Sequence, residues 1–417
     1  MNKNELRTYV AVTGAYWGFT ITDGALRMLV LLHFHTLGFS PLDLAFLFLL
    51  YEATGIFSNF YGGWIGSRFG LRVTLFAGVI IQICALIMLS VVQPDWLASF
   101  SVIYVMLVQA LSGVAKDLTK MSSKSAVKFV IDERDEGLLF KWIALLTGSK
   151  NAMKGLGFFL GGVLLQFLGF NISLWLMSAL LVVILVIAYG FVKADLGKAT
   201  KEITRRDLFA KSREINFLSA ARIFLFASRD VWFVVGVPVF LYSQLDWSFN
   251  QVGVFMAAWV IFYGIVQAMV PRVFSSATNT RASAINVKYY GMLLAFIPLG
   301  IAIGISPEFL NMEGNESVTK FILVGGLFLF GFVFAVNSSI HSFLIVAYSD
   351  SDKVVLNVGF YYMANAFGRL VGTLLSGLVF QYFGLSACLF VSTIMVCLAV
   401  LLTRPLEKER PLTDQVA

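Results

Sequence analysis

Long apolar runs separated by short polar connections fill this chain almost from end to end. A helix needs about 20 apolar residues to cross a hydrocarbon layer about 30 Å thick. Backbone in lipid must also satisfy its own hydrogen bonds, so such runs fold as spanning helices. Twelve runs are readable, at 8–36, 41–66, 73–91, 98–120, 138–168, 172–192, 216–243, 249–273, 284–305, 318–346, 354–383 and 385–403. Composition agrees: 59% of residues are apolar and 13% charged, against about 45–50% and about 25% in soluble domains. A soluble enzyme, a disordered chain and a nucleic-acid module are excluded. The first residues, MNKNELRTYV, lack a short apolar core with a small-residue cleavage site, so the first run is expected to be a retained helix. Cys84, Cys388 and Cys397 lie inside apolar runs without a CxxC pair, which argues against disulfides and thiolate metal sites.

Lysine and arginine alternate between connections. One set carries Lys3, Arg7, Arg68, Arg72, Lys128, Arg134, Lys141, the stretch from Lys193 to Arg213, Arg272, Arg281, Lys288, Arg404, Lys408 and Arg410. The other set holds Asp43, Asp95, Asp246, Glu308, Glu313 and Glu316, with Lys320 as its one cation. The basic set is expected to face the cytoplasm, with both termini inside. The net charge of +7 then follows from topology, and no nucleic-acid partner is needed. A bacterial inner-membrane protein is expected, with the lipid bilayer as its surroundings.

The polar stretch 194–215 divides the chain into six-span halves, 1–193 and 216–417. The halves repeat: KGLGFFLGGVLLQFLG (154–169) aligns without gaps on RLVGTLLSGLVFQYFG (369–384). Lys154 then matches Arg369, Gly157 matches Gly372, Gln166 matches Gln381 and Gly169 matches Gly384. Asp23 and Asp230 lie at similar depths in spans one and seven. This predicts an all-α membrane protein of twelve transmembrane helices in two pseudo-repeated six-helix halves, a transporter architecture. Between spans two and three, GGWIGSRFGLR (62–72) places Gly63, Gly66, Arg68, Gly70 and Arg72 where the major facilitator superfamily carries G-x-L-A-D-R-x-G-R-R. The sequence resembles that tight gating turn. It departs at Ser67 and Leu71, so a lock that uses the usual Asp is in doubt.

Ionisable groups inside a spanning helix are costly and usually functional. Asp23 and Arg27 share a face of span one, at the spacing of an ordinary ion pair. Glu52 lies midway along span two. Lys150 and Lys154 share a face of span five, Arg229 and Asp230 lie midway along span seven, and Asn365 and Arg369 share a face of span eleven. Lys116, Lys120, Lys124 and Lys128 recur every four residues at the end of span four, beside Asp117. These lysines and Arg222 can equally snorkel to headgroups. His33 and His35 read as an interfacial helix end, and the glycines of 155–162 as close helix packing. Nine cations (Arg27, Lys116, Lys120, Lys124, Lys150, Lys154, Arg222, Arg229, Arg369) face four carboxylates (Asp23, Glu52, Asp117, Asp230). A cavity with this surplus suits an anion, and arginine suits two-pronged gripping of carboxylate, phosphate or arsenate oxygens.

No GxxxxGK[ST] phosphate loop, HExxH, GxSxG or metal-ligand spacing occurs, so neither an enzyme nor an ATP-driven pump is expected. No cofactor or metal is implied. Asn171 and Asn315 head N-x-S matches of little weight without a known host.

Four stretches narrow the resemblance: YWGFTITDGALRMLVLLHFHTLGFSP (16–41), QALSGVAKDLTKMSSKSAVK (109–128), LLTGSKNAMKGLGFFLGG (145–162) and SAARIFLFASRDVWFVVGVPVF (219–240). They look like the organoarsenical efflux permeases (ArsJ type) of bacterial arsenic-resistance operons, a branch of the major facilitator superfamily. The resemblance implies export of 1-arseno-3-phosphoglycerate, and glyceraldehyde-3-phosphate dehydrogenase as functional partner, since that enzyme makes the compound when arsenate replaces phosphate. It supplies no residue assignment. From depth and charge, substrate binding is expected at Arg27, Lys150, Lys154, Arg229, Arg369, Asn365, Lys116 and Lys120. Proton coupling is expected at Asp23, Glu52 or Asp230, in a monomer working by alternating access. Another organophosphate or organic anion, a non-transporting anion receptor and a membrane enzyme stay open as alternatives.

Overall fold

The computed structural model describes residues 3–127, 136–192, 212–273, 280–306, 316–349 and 354–407, and among these every regular element is helical. The α-helices are α1 (Lys3–Thr36), α2 (Pro41–Leu89), α3 (Ala98–Val127), α4 (Glu136–Phe191), α5 (Arg213–Phe233), α6 (Gly236–Ser243), α7 (Phe249–Val273), α8 (Thr280–Gly304), α9 (Glu316–Ala347) and α10 (Val354–Thr403). The expected linker 194–215 falls almost wholly outside the described residues.

Three of these helices hold two spans each, with a single glycine as the break. Gly70 in α2 has φ 76° and ψ 170°, Gly169 in α4 has φ 72° and ψ −176°, and Gly384 in α10 has φ 76° and ψ −172°. This region is open essentially to glycine alone. The chain folds back at each break. Ser58 and Thr74, on either side of Gly70, bond Asp117 and Ser122 on the same stretch of α3. Gly372 and Ser392, on either side of Gly384, both meet residues 227–230 of α5. The six-residue connection expected between spans two and three is therefore a one-residue turn, because glycine reverses the path without a loop.

Span seven, expected to be continuous from 216 to 243, is broken at Val234 and Val235. Pro238 has no N–H and its ring crowds the carbonyl four residues earlier. Ser376 on α10 takes up the freed donors: its Oγ accepts from Val235 N at 3.1 Å and Gly236 N at 3.2 Å. At the start of α2, Pro41 follows a capping box in which Ser40 Oγ accepts from Asp43 N and Asp43 Oδ2 accepts from Ser40 N, each at 3.2 Å.

The repeat between α4 and α10 extends to their contacts. Gly157 packs on Ile21 to Ala25 of α1, and Gly372 on Ala227 to Asp230 of α5. Gly162 lies against Phe249 of α7, and Gly377 against Pro41 and Leu42 of α2, with no room for a methyl group at either. Gln166 Oε1 accepts from Asn250 N at 3.2 Å, and Gln381 Oε1 from Leu42 N at 3.0 Å. These paired contacts seal α4 to α7 and α2 to α10 at one end of the bundle. Without a hydrophobic driving force in lipid, such small-residue seams carry helix association.

Gly384→Ala is expected to lower stability by about 1–3 kcal/mol, the cost of forcing a side chain into this backbone region. Gly300→Ala, where a methyl meets nothing within 4 Å, is the control and should be neutral. Thermal unfolding of the two purified variants checks the difference.

Candidate functional site

The centre of the bundle is an ionic chain built by four helices. Glu52 on α2 is 1% exposed. Its Oε1 accepts from Arg27 Nη2 on α1 and from Arg369 Nη2 on α10, each at 2.5 Å. Arg369 also approaches Asp230 on α5, with Nε 3.5 Å from Oδ2 and without the alignment of a hydrogen bond. Asp230 Oδ1 in turn accepts from Arg229 Nε at 2.6 Å, with Arg229 Nη2 in ion-pair contact at 2.5 Å. Arg369 thus ties α2 to α5 through two carboxylates. Breaking such a buried pair from one side is costly, because the partner keeps its charge without water.

Asp23 and Arg27 do not form the ion pair their spacing allows. Arg27 turns to Glu52, lying 5.2 Å and 5.3 Å over the rings of Phe48 and Tyr51. Asp23 Oδ1 instead accepts from the Tyr51 hydroxyl at 2.6 Å. Lys116 on α3 also turns inward, its Nζ 3.9 Å from the Tyr51 ring centroid. Lys154 on α4 lies 5.7 Å over Phe158. Both lysines act electrostatically on Glu52, as do Arg369 and Arg27. Lys150 is half-buried one turn before Lys154, between the Trp17–Ser149 and Asn151–Gln267 hydrogen bonds.

Further along α3, Lys120 Nζ donates to Asn59 Oδ1 at 2.7 Å and lies 3.7 Å from Asp117. Asp117 also accepts from Ser58. This group sits beside the central chain. The side chains of Lys124 and Arg68, the surroundings of Gly63 and Gly66, and all of Lys128 lie outside what the structure describes. Of the expected gating turn, Gly70 forms the break, and Arg72 stacks 4.9 Å over Tyr189 and 5.5 Å over Phe76.

Arg222 does not snorkel. It is 4% exposed, since α5 is packed between α10 and other helices. Its Nε donates to Asn365 Oδ1 at 3.2 Å, and its Nη1 to Ser338 O at 3.2 Å and Ser338 Oγ at 3.0 Å. Phe226 lies under both Arg222, at 4.1 Å, and Arg229, at 4.9 Å. Depth counting left this residue open between the cavity and the headgroups. The signal available was the seven-residue spacing of Arg222 and Arg229, together with the polar patch NSSIHS (337–342) in span ten.

Seven cations (Arg27, Lys116, Lys120, Lys154, Arg222, Arg229, Arg369) therefore line the core against four carboxylates (Asp23, Glu52, Asp117, Asp230). At an effective dielectric of about 20, two unit charges 4 Å apart interact by about 4 kcal/mol. The surplus is thus a strong attraction for an anion. Among the described residues no group of His, Cys, Asp and Glu is placed to hold a metal ion.

A family model described as Major Facilitator Superfamily matches residues 8–312. No curated protein matches the chain by sequence. In fold it is similar to a bacterial homologue of the iron transporter ferroportin in its inward-facing state (15% identity, TM-score 0.70, 98% of this chain and 100% of that one). It is also similar to a mutant of the nucleoside transporter NupG (15%, 0.71, 97% and 99%), and to the human organic anion transporter MFSD10, or TETRAN (16%, 0.62, 97% and 100%). With well over half its length matched, the chain belongs to the Major Facilitator Superfamily, as a multi-pass membrane transporter and not an enzyme.

Proposed function

We propose that this protein is a secondary active exporter of an organic polyanion, 1-arseno-3-phosphoglycerate, which removes arsenate from the cell. The observation that carries the anion is the excess of core cations around Glu52, whose one oxygen holds both Arg27 and Arg369. A fold shared by carriers named for iron, a nucleoside and organic anions leaves the substrate to the site. The arsenical itself rests on the four stretches that resemble organoarsenical permeases.

Arg27, Lys116, Lys154, Arg229, Arg369 and Asn365 bind the anion, with Lys150 and Lys120 at its margins. Glu52 is the internal anion that occupies Arg27 and Arg369 when no substrate does. Residues 1–193 and 216–417 rock as two six-helix halves joined by 194–215, and Arg369–Glu52 is the bond between them that substrate exchanges. Both termini face the cytoplasm of the inner membrane, so the end sealed by Gln166 and Gln381 is the outer one. Asp23, Glu52 and Asp230 are the carboxylates available for an exchanged proton. The working unit is a monomer, and glyceraldehyde-3-phosphate dehydrogenase supplies its substrate.

Everted vesicles given arsenate, glyceraldehyde-3-phosphate, NAD and the dehydrogenase test this. Arsenic accumulation that requires the dehydrogenase and its substrates is expected. Accumulation from arsenate alone makes the protein an inorganic-oxyanion carrier. No accumulation, with the protein folded, moves the substrate to another organophosphate or organic anion.

A further inference from the structure

A guanidinium has five N–H donors and a permanent charge. Burying one among neutral groups is costly unless something completes it. Arg222 is in that condition. Its hydrogen-bond partners are an amide oxygen, a hydroxyl and a backbone carbonyl. Among the described residues no carboxylate lies within 4.0 Å of it. Two of its nitrogens make all three bonds, and Nη2 makes none. The rings of Phe226 at 4.1 Å and Tyr361 at 4.8 Å hold the cation in place without neutralising it. Polar atoms around it are also unanswered: the Tyr361 hydroxyl and His341 Nδ1, one turn along α9 from Ser338, are buried with no hydrogen bond.

Its position relates it to the central chain. Asn365, its amide partner, lies four residues before Arg369 on α10, a rise of about 6 Å. A tie needed only to hold α5, α9 and α10 together would be served by a neutral side chain at a much lower desolvation cost.

We propose that Arg222, with Ser338 and Asn365, is a second anion-binding position, about one helical turn from the Arg27–Glu52–Arg369 centre. It receives the far anionic group of a two-headed substrate, while the central arginines hold the near one. The three-residue set decides for an anion with two separated charged groups over an anion with one. This rests on the anion-transport reading above and adds to it the spacing of the substrate's charges.

The test measures binding to the purified full chain, using inorganic phosphate as the single-headed probe and 3-phosphoglycerate as the two-headed one. Wild type is expected to bind 3-phosphoglycerate more tightly than phosphate. In Arg222→Gln, 3-phosphoglycerate affinity should fall by about tenfold or more, the loss of a charge-assisted hydrogen bond, while phosphate affinity stays within about twofold of wild type. Asn365→Asp guards against misfolding. It places a carboxylate beside Arg222, so the protein should melt no lower than wild type and still lose the two-headed preference. A tie between helices predicts the opposite, stabilisation with binding unchanged. Equal weakening of both probes, or full retention of 3-phosphoglycerate affinity in both variants, overturns the proposal. A wild type that binds phosphate without preferring 3-phosphoglycerate overturns the second position and leaves the anion reading standing. A wild type that binds neither probe overturns both.

Discussion

Glu52→Gln is expected to cost about 3–5 kcal/mol of stability, the usual effect of removing one member of a buried ionic group. The loss exceeds that of a single hydrogen bond because one oxygen serves two guanidinium groups, each at 2.5 Å. Glutamine keeps the shape and removes the charge. Arg27 and Arg369 would then face each other, with Lys116 and Lys154 nearby, and only Asp23 and Asp230 left to balance them. A second, more specific effect should follow. If Glu52 stands in for the substrate, a supplied anion can take its place in the variant. Inorganic phosphate at about 100 times its dissociation constant should restore about 2.7 kcal/mol by mass action. Thermal unfolding of the purified variant with and without phosphate measures both effects. A variant as stable as wild type, or one that phosphate does not stabilise, would sink the role assigned to Glu52.

Arg369→Ala carries the next largest effect, on transport. The side chain links Glu52 on α2 to Asp230 on α5, so its loss removes both a substrate ligand and the bond between the two sets of helices. The charge-assisted hydrogen bond to Glu52 at about 1.5–3 kcal/mol corresponds to a fall in vesicle export of about tenfold to a hundredfold, since the approach to Asp230 lacks hydrogen-bond alignment. Arg369→Lys should keep part of the activity, because a point charge remains but the two-pronged geometry goes. Lys154, its counterpart in the repeat, is half-buried and touches the network only through its charge. Lys154→Ala should therefore lose less. Wild-type export by both alanine variants ends the cation-site reading.

Much of the fold is legible in the sequence. The twelve apolar runs correspond to the helices found, and the alignment of 154–169 on 369–384 foresaw more than helix positions. Gly169 and Gly384 share one backbone conformation, and Gln166 and Gln381 bond the starts of α7 and α2 in the same way. The pairing of charges was not legible. Spacing offered Asp23 to Arg27, yet Arg27 reaches across to Glu52 and Asp23 takes the Tyr51 hydroxyl. Arg222 stayed open between core and headgroups because its distance from a span end says nothing about whether α9 and α10 cover it.

The two kinds of information have different physical origins. Span length, the one-glycine turns and the surplus of core cations belong to single segments. They follow from the thickness of the bilayer, the backbone freedom of glycine and the cost of charge in lipid, and the sequence by itself determined them. Which cation meets which carboxylate depends on how far each helix is rotated and where it crosses its neighbours. Those angles are set by close contacts between distant segments, such as Gly157 on Gly24 and Gly372 on Asp230. Only the tertiary structure decided that Glu52 would be shared by two arginines and that Arg222 would be buried without a carboxylate.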